Sequence, residues 1–250
     1  MLPLRDNIPT SRPPVLTIGI IVANVLVYFF WQRGGFTFGD PSGAHYICNL
    51  QEHAAIPYEI THPGRQVLIA HGCADPTAPT WTTAFTAMFM HGGLLHLGGN
   101  MLFLWIFGNN IEDRLGYIKF PIFYVLGGIA ALALQTLVGP NSQVPTLGAS
   151  GAIAAVLGAY IVLYPRARVV TVIFIIFFFT ILELPAMVVL GLWFLQQAVF
   201  GYFDLAQPGS GGGGGVAYFA HLGGFVFGLL AVRALARRPP PRRQTSWMPR

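Results

Sequence analysis

The stretch TLGASGAIAAVLGAY, Thr146 to Tyr160, sets a serine between Gly148 and Gly151 at the head of a run apolar enough to lie in lipid. The rest of the chain fits a membrane as well. Of its 250 residues 9% are charged and 54% apolar, whereas ordinary soluble domains are about 25% charged. A globular protein so poor in charge could not cover its surface, so most of this chain faces lipid.

A helix that crosses a bilayer needs roughly 17–25 predominantly apolar residues. Runs near that length lie at 15–31, 95–111, 120–138, 150–164, 184–203 and 216–235. They predict an all-α polytopic membrane protein of six spans with a long first outer loop. The expected organisation is a cytoplasmic N-terminal segment 1–14, a membrane domain 15–235 and a basic cytoplasmic tail 236–250. The domain includes an outer loop 32–86 and a glycine-rich outer loop 204–215. The first segment is polar and proline-rich, and no small-residue cleavage site follows the first span, so that span is expected to persist in the mature protein.

Basic residues set the orientation. With both termini inside, Arg5, Arg12, Arg114, Lys119, Arg166, Arg168, Arg233, Arg237, Arg238, Arg242, Arg243 and Arg250 fall on the inner side, and Arg33 and Arg65 outside. The asymmetry accounts for the net charge of +5 without any nucleic acid. The basic tail reads as an anchor against anionic lipid. The predicted location is a cell (cytoplasmic) membrane. Two crossings between Arg168 and Phe203 would send the basic tail outside, so 169–183 is expected to be an interfacial or re-entrant piece, with the fifth span after Pro185.

The outer loop holds four histidines and both cysteines. For Cys48 and Cys73, on the side where disulfides persist, a bridge and two free thiols are both open. The spacing of His45, Cys48, His53, His62, His71 and Cys73 matches no standard zinc pattern, and no metal is expected.

Polar side chains enter the apolar spans in three places: HGGLLHLGGN (His91 to Asn100), Ser150, and AHLGGFVFG (Ala220 to Gly228). Intramembrane polar groups are functional candidates by default. His96 and Asn100, four apart, share one helix face. With Ser150 and His221 they fall within about two turns of the outer ends of three spans, at one common depth. Ser150, Ala154 and Gly158 form a small-residue stripe, as do Ala217, His221, Gly224 and Gly228; such faces let membrane helices approach closely.

A serine hydroxyl needs a base to become a nucleophile, and histidine is the usual one. Amide hydrolysis also needs donors for the oxyanion. The Ser150 backbone N–H at a helix start, His96 and Asn100 can provide them. No acid lies in the outer halves of these spans, so a Ser–His dyad is expected rather than a Ser-His-Asp triad.

GASG around Ser150 (GxSG), HGGLLHLGGN (HxxxxHxxxN), AHLGGFVFG (AHxxGxxxG) and GNNIEDRLG from Gly108 to Gly116 (GxxxExxxG) together resemble the rhomboid family of intramembrane serine proteases, over roughly residues 81–235. The resemblance implies Ser150 as nucleophile and His221 as general base and then acid. It implies His96, Asn100 and the Ser150 amide as oxyanion donors, with His91, Gly148, Gly151, Gly224 and Gly228 in support. It implies transmembrane proteins as substrates, entering sideways between the second and fifth spans, and no cofactor. Glu112 is expected to tie the inner ends of two helices, and the glycine-rich loop to act as a mobile cover. Two positions depart from the pattern. A tyrosine found in some bacterial members is Ala154 here, which leaves Tyr218 or Tyr160 to hold the His221 ring. The Trp-Arg pair of the first loop is Trp81-Thr82. The rival readings are an inactive relative that binds membrane proteins and, lacking H-E-x-x-H, a membrane metalloenzyme or metal transporter.

Overall fold

The structure, a computed structural model, describes residues 1–36, 41–69, 72–73, 78–175, 178–206 and 216–236. Helix makes up 65% of the described residues. The apolar runs become α1 (Val15–Leu26, extended by a wider turn to Trp31), α5 (Leu94–Phe103), α6 (Asn109–Val138), α7 (Ser150–Leu163), α8 (Ala186–Ala206) and α9 (Tyr218–Leu235). Short helices α2 (Ala44–His53), α3 (Pro57–Thr61) and α4 (Thr80–Thr86) fold the loop between α1 and α5. Among the described residues, Leu94–Val138, Ala186–Ala206 and Tyr218–Leu235 are long and apolar enough to cross a membrane. Val15–Trp31 and Ser150–Leu163 are shorter apolar helices.

Leu94–Val138 is not one rod. A wide turn at Leu104–Gly108 joins α5 to α6, and Gly116 (φ 80°, ψ 171°) breaks the helical path inside α6. Only glycine takes that backbone without strain. Just before the break lies Glu112, 1% exposed. Its carboxylate accepts from the backbone N–H of Leu16 (3.0 Å) and of Thr17 (2.7 Å), and from the Thr17 hydroxyl (2.7 Å). The first-turn N–H groups of a helix have no intrahelical partner, and a negative charge suits the positive end of its dipole. Glu112 therefore caps α1 and ties it to α6.

At the centre stands α7, buried at every position from Gly151 to Tyr160. Its small residues let α9 come to backbone contact. A Cβ on Gly224 would strike the Gly151 carbonyl, one on Gly228 the Ala155 carbonyl, and one on Gly158 the Phe225 carbonyl. The two small-residue stripes thus face each other.

The all-α expectation fails at one place. Residues 169–183, expected as an interfacial or re-entrant piece, are strand: Arg168–Ile175 (β2) and Phe178–Pro185 (β3) form an antiparallel hairpin, with Val170 opposite Glu183. The N-terminal Leu2–Asp6 (β1) adds to it in the order β1-β2-β3. Consecutive Val, Thr, Ile and Phe favour strands, and pairing with β1 satisfies backbone groups that an isolated apolar segment would leave open. The first segment is accordingly part of the fold. Asp6 accepts from the Tyr160 hydroxyl and from Asn110 Nδ2 (2.7 Å). Burial raises its carboxyl above the usual range, and these hydrogen bonds pull it part of the way back. The expected basic tail lies, beyond Ala236, outside the described residues, as does most of the glycine-rich loop.

Candidate active site

Ser150 is the first residue of α7. The loop before it is pinned from two sides. Thr146 and Ala55 exchange backbone hydrogen bonds (2.8 and 3.0 Å), and Gly148 N–H donates to the Ala87 carbonyl (2.8 Å). Gly148 itself has φ +119°, which favours glycine. A Cβ there would also lie 2.9 Å from both Cε1 and Nε2 of His96. At Gly151 a Cβ would lie 2.6 Å from the Cβ of Ala131. Glycine at both positions lets the serine sit at a tight junction against α5 and α6.

His221 enters from the second turn of α9. Its Nε2 is 2.8 Å from Ser150 Oγ and its Nδ1 is 2.7 Å from Gln197 Oε1. Trp193, one turn earlier on α8, lies with its ring centroid 5.6 Å from that of His221, at 39°. Neither tyrosine considered from the sequence holds the ring. Tyr160 reaches Asp6 at the far end of α7, and Tyr218 packs edge-on against Phe200.

Ser150, His221, His96 and Asn100 line one pocket, together with Trp193 and Val216. Asn100 is 8% exposed, and its Nδ2 has no hydrogen-bond partner. Gly92 N–H donates to His96 Nδ1 (3.2 Å). That leaves the ring proton on Nε2, the atom turned toward Gly148. The pocket therefore gathers a hydroxyl, an imidazole and two side-chain donors.

His91 lies behind it, wholly buried, with its ring edge-on to His96 at 5.2 Å. Both ring nitrogens lack a partner. Burial first, and then the charge of His96, bring the imidazole down to about 3, so it is neutral at physiological pH. Its backbone is clamped instead. The Gln32 amide receives the His91 N–H (2.9 Å) and donates to its carbonyl (3.3 Å), which also accepts from Tyr46 (3.1 Å).

Gln197, Trp193, Gln32 and Tyr46 escaped the sequence reading. The signal for the first two was available, since an amide four residues after a tryptophan shares its helix face. Gln32 and Tyr46 carried no such signal. In the loop, Cys48 and Cys73 form a disulfide (Cα–Cα 5.3 Å), which settles that open pairing. Among the described residues no group of three or more His, Cys, Asp or Glu is placed to hold a metal ion; His71 lies outside them.

The family model for the Rhomboid domain matches residues 78–238. Human presenilin-associated rhomboid-like protein, mitochondrial, is 29% identical over 220 residues, which cover 86% of this chain and 46% of that protein. Rhomboid protein 1, mitochondrial, of Saccharomyces cerevisiae is 32% identical over 167 residues, covering 62% and 42%. The chain thus spans less than half the length of these relatives. Their names overturn the expected cell (cytoplasmic) membrane location, because both are mitochondrial proteins.

Proposed function

The chain belongs to the rhomboid family, and from that premise we propose that it is an intramembrane serine endopeptidase acting on transmembrane proteins through Ser150 and His221. The observation that carries the proposal is the 2.8 Å contact between Ser150 Oγ and His221 Nε2. Two groups borne by separate helices meet there in a pocket whose other polar members are donors. Six spans follow if the break at Gly116 divides 94–115 from 117–138 and the two shorter apolar helices also cross. The long first loop is then the segment 32–86. The mitochondrial names of the relatives point to a mitochondrial membrane as the setting.

In the proposed reaction His221 Nε2 accepts the Ser150 proton as Oγ attacks the scissile carbonyl. The carbonyl oxygen becomes an oxyanion, met by the Ser150 backbone N–H, Asn100 Nδ2 and His96 Nε2–H. Preorganised donors of this kind act where charge develops. His221 then gives its proton to the leaving amine as the C–N bond breaks. Water, deprotonated by the same imidazole, hydrolyses the acyl-enzyme and restores Ser150. His91 is neutral and turned toward His96, and supports the donor side from behind. Gly148, Gly151, Gly224 and Gly228 serve by close approach, since each is a position where a Cβ would collide.

Cleavage of a generic single-span substrate by the purified chain in liposomes tests the proposal. Wild type should cut, with or without a chelator, and Ser150→Ala and His221→Ala should each lose roughly 10⁴–10⁶-fold, because coupled catalytic residues are not additive. Cleavage abolished by the chelator would favour a metalloenzyme. No cleavage under any condition would favour an inactive relative that binds membrane proteins.

A further inference from the structure

We propose that Gln197 is a positioning residue for His221, fixing the imidazole with its proton on Nδ1 and its lone pair on Nε2. The proposal rests on the Ser–His reading above and adds a third helix to it. Of the adjacent amides on α8, Gln196 is exposed, whereas Gln197 is buried at 7% exposure. A polar side chain turned inward within an apolar helix is costly without a partner. The partner of Gln197 is His221 Nδ1, 2.7 Å from Oε1.

A neutral imidazole carries one N–H. When that N–H is donated from Nδ1 to an amide oxygen, Nε2 is an acceptor, and it lies 2.8 Å from the Ser150 hydroxyl. The opposite tautomer would put a proton between Nε2 and the serine and remove the base. Trp193 restrains the ring from the side, but a ring contact cannot choose between tautomers; an acceptor can. Cysteine proteases with a Cys-His-Asn set use an amide in this place. A carboxylate would serve too, but a charge within a membrane helix is costlier than an amide. The histidine is therefore supported without an acid at Nδ1.

The test uses the full chain in detergent, a fluorophosphonate probe that phosphonylates an activated serine, and a single-span substrate. The titratable side chain sharing the pocket with His221 is His96 from α5, while α7 and α8 contribute Ser150, Trp193 and Gln197. Gln197→Leu should slow probe labelling about thirtyfold and lower kcat with KM nearly unchanged, the scale of one lost hydrogen bond. Gln197→Glu keeps the acceptor, so it should retain most of the wild-type rate. Its carboxylate favours the imidazolium, so the acidic limb of the pH–rate profile should move to higher pH. A residue that only fills space would leave that limb in place. Labelling by the Leu variant at the wild-type rate, or a Glu variant whose acidic limb coincides with that of wild type, would overturn the proposal while leaving the Ser–His reading intact. A wild-type chain that neither labels nor cleaves would overturn that reading first and this one with it.

Discussion

Where α1 begins, the Glu112 carboxylate receives two backbone N–H groups and a hydroxyl, and Asp6 receives Tyr160 and Asn110. Where α7 begins, at the other end of that helix, Asn100 Nδ2 and both His91 nitrogens have no partner, and the Ser150–His221 pair lines a pocket. The first region saturates a buried and a half-buried acid, leaving one orphan oxygen on Asn110. The second leaves buried polar groups unpaired, one of them, Asn100, lining the pocket. An unpaired buried polar group is expensive to keep, so a cluster of them inside a membrane bundle is a candidate functional site. The same chemistry marks architecture at one end and, in the function proposed above, the reaction site at the other.

The contrast can be broken by exchanging what each end loses. Asn100→Ala should lower kcat roughly 10²–10³-fold, the usual loss of one oxyanion donor, with little change in unfolding midpoint, since no bond to Nδ2 exists in the resting protein. A large fall in stability with normal kcat would place Asn100 with the architecture. Glu112→Gln should do the reverse. It should cost about 2–3 kcal/mol in denaturation in detergent, because a charged acceptor of three hydrogen bonds is replaced by an amide, while probe labelling of the folded fraction stays at the wild-type rate. Asp113, which accepts from Ser11 N–H and hydroxyl in an exposed position, gives the smallest effect. Asp113→Ala should shift stability by about 0.5 kcal/mol or less.

Much of this was legible in the residues. The serine, the histidine and the donor pair could be placed at one depth because three apolar runs start from the same side. The close approach of α7 to α9 could be read from glycines and alanines four apart. Three things went unread. The hairpin of β2 and β3 was hidden because an all-apolar run of Val, Ile and Phe has no alternation to distinguish strand from lipid-facing helix, and because its ladder is completed by β1 from the other end of the chain. Gln197 is not an acid, the usual partner of a catalytic histidine, yet an amide oxygen accepts equally from Nδ1. The Gln32 clamp on His91 joins residues far apart in sequence and has no local signature.

The central claim is that His221 activates Ser150. Peptide mapping by mass spectrometry after fluorophosphonate treatment measures it directly, with no need to know the substrate. The account predicts one phosphonyl adduct, on Ser150, that fails to form in His221→Ala; an adduct on another residue, or undiminished labelling of Ser150 in His221→Ala, would contradict it.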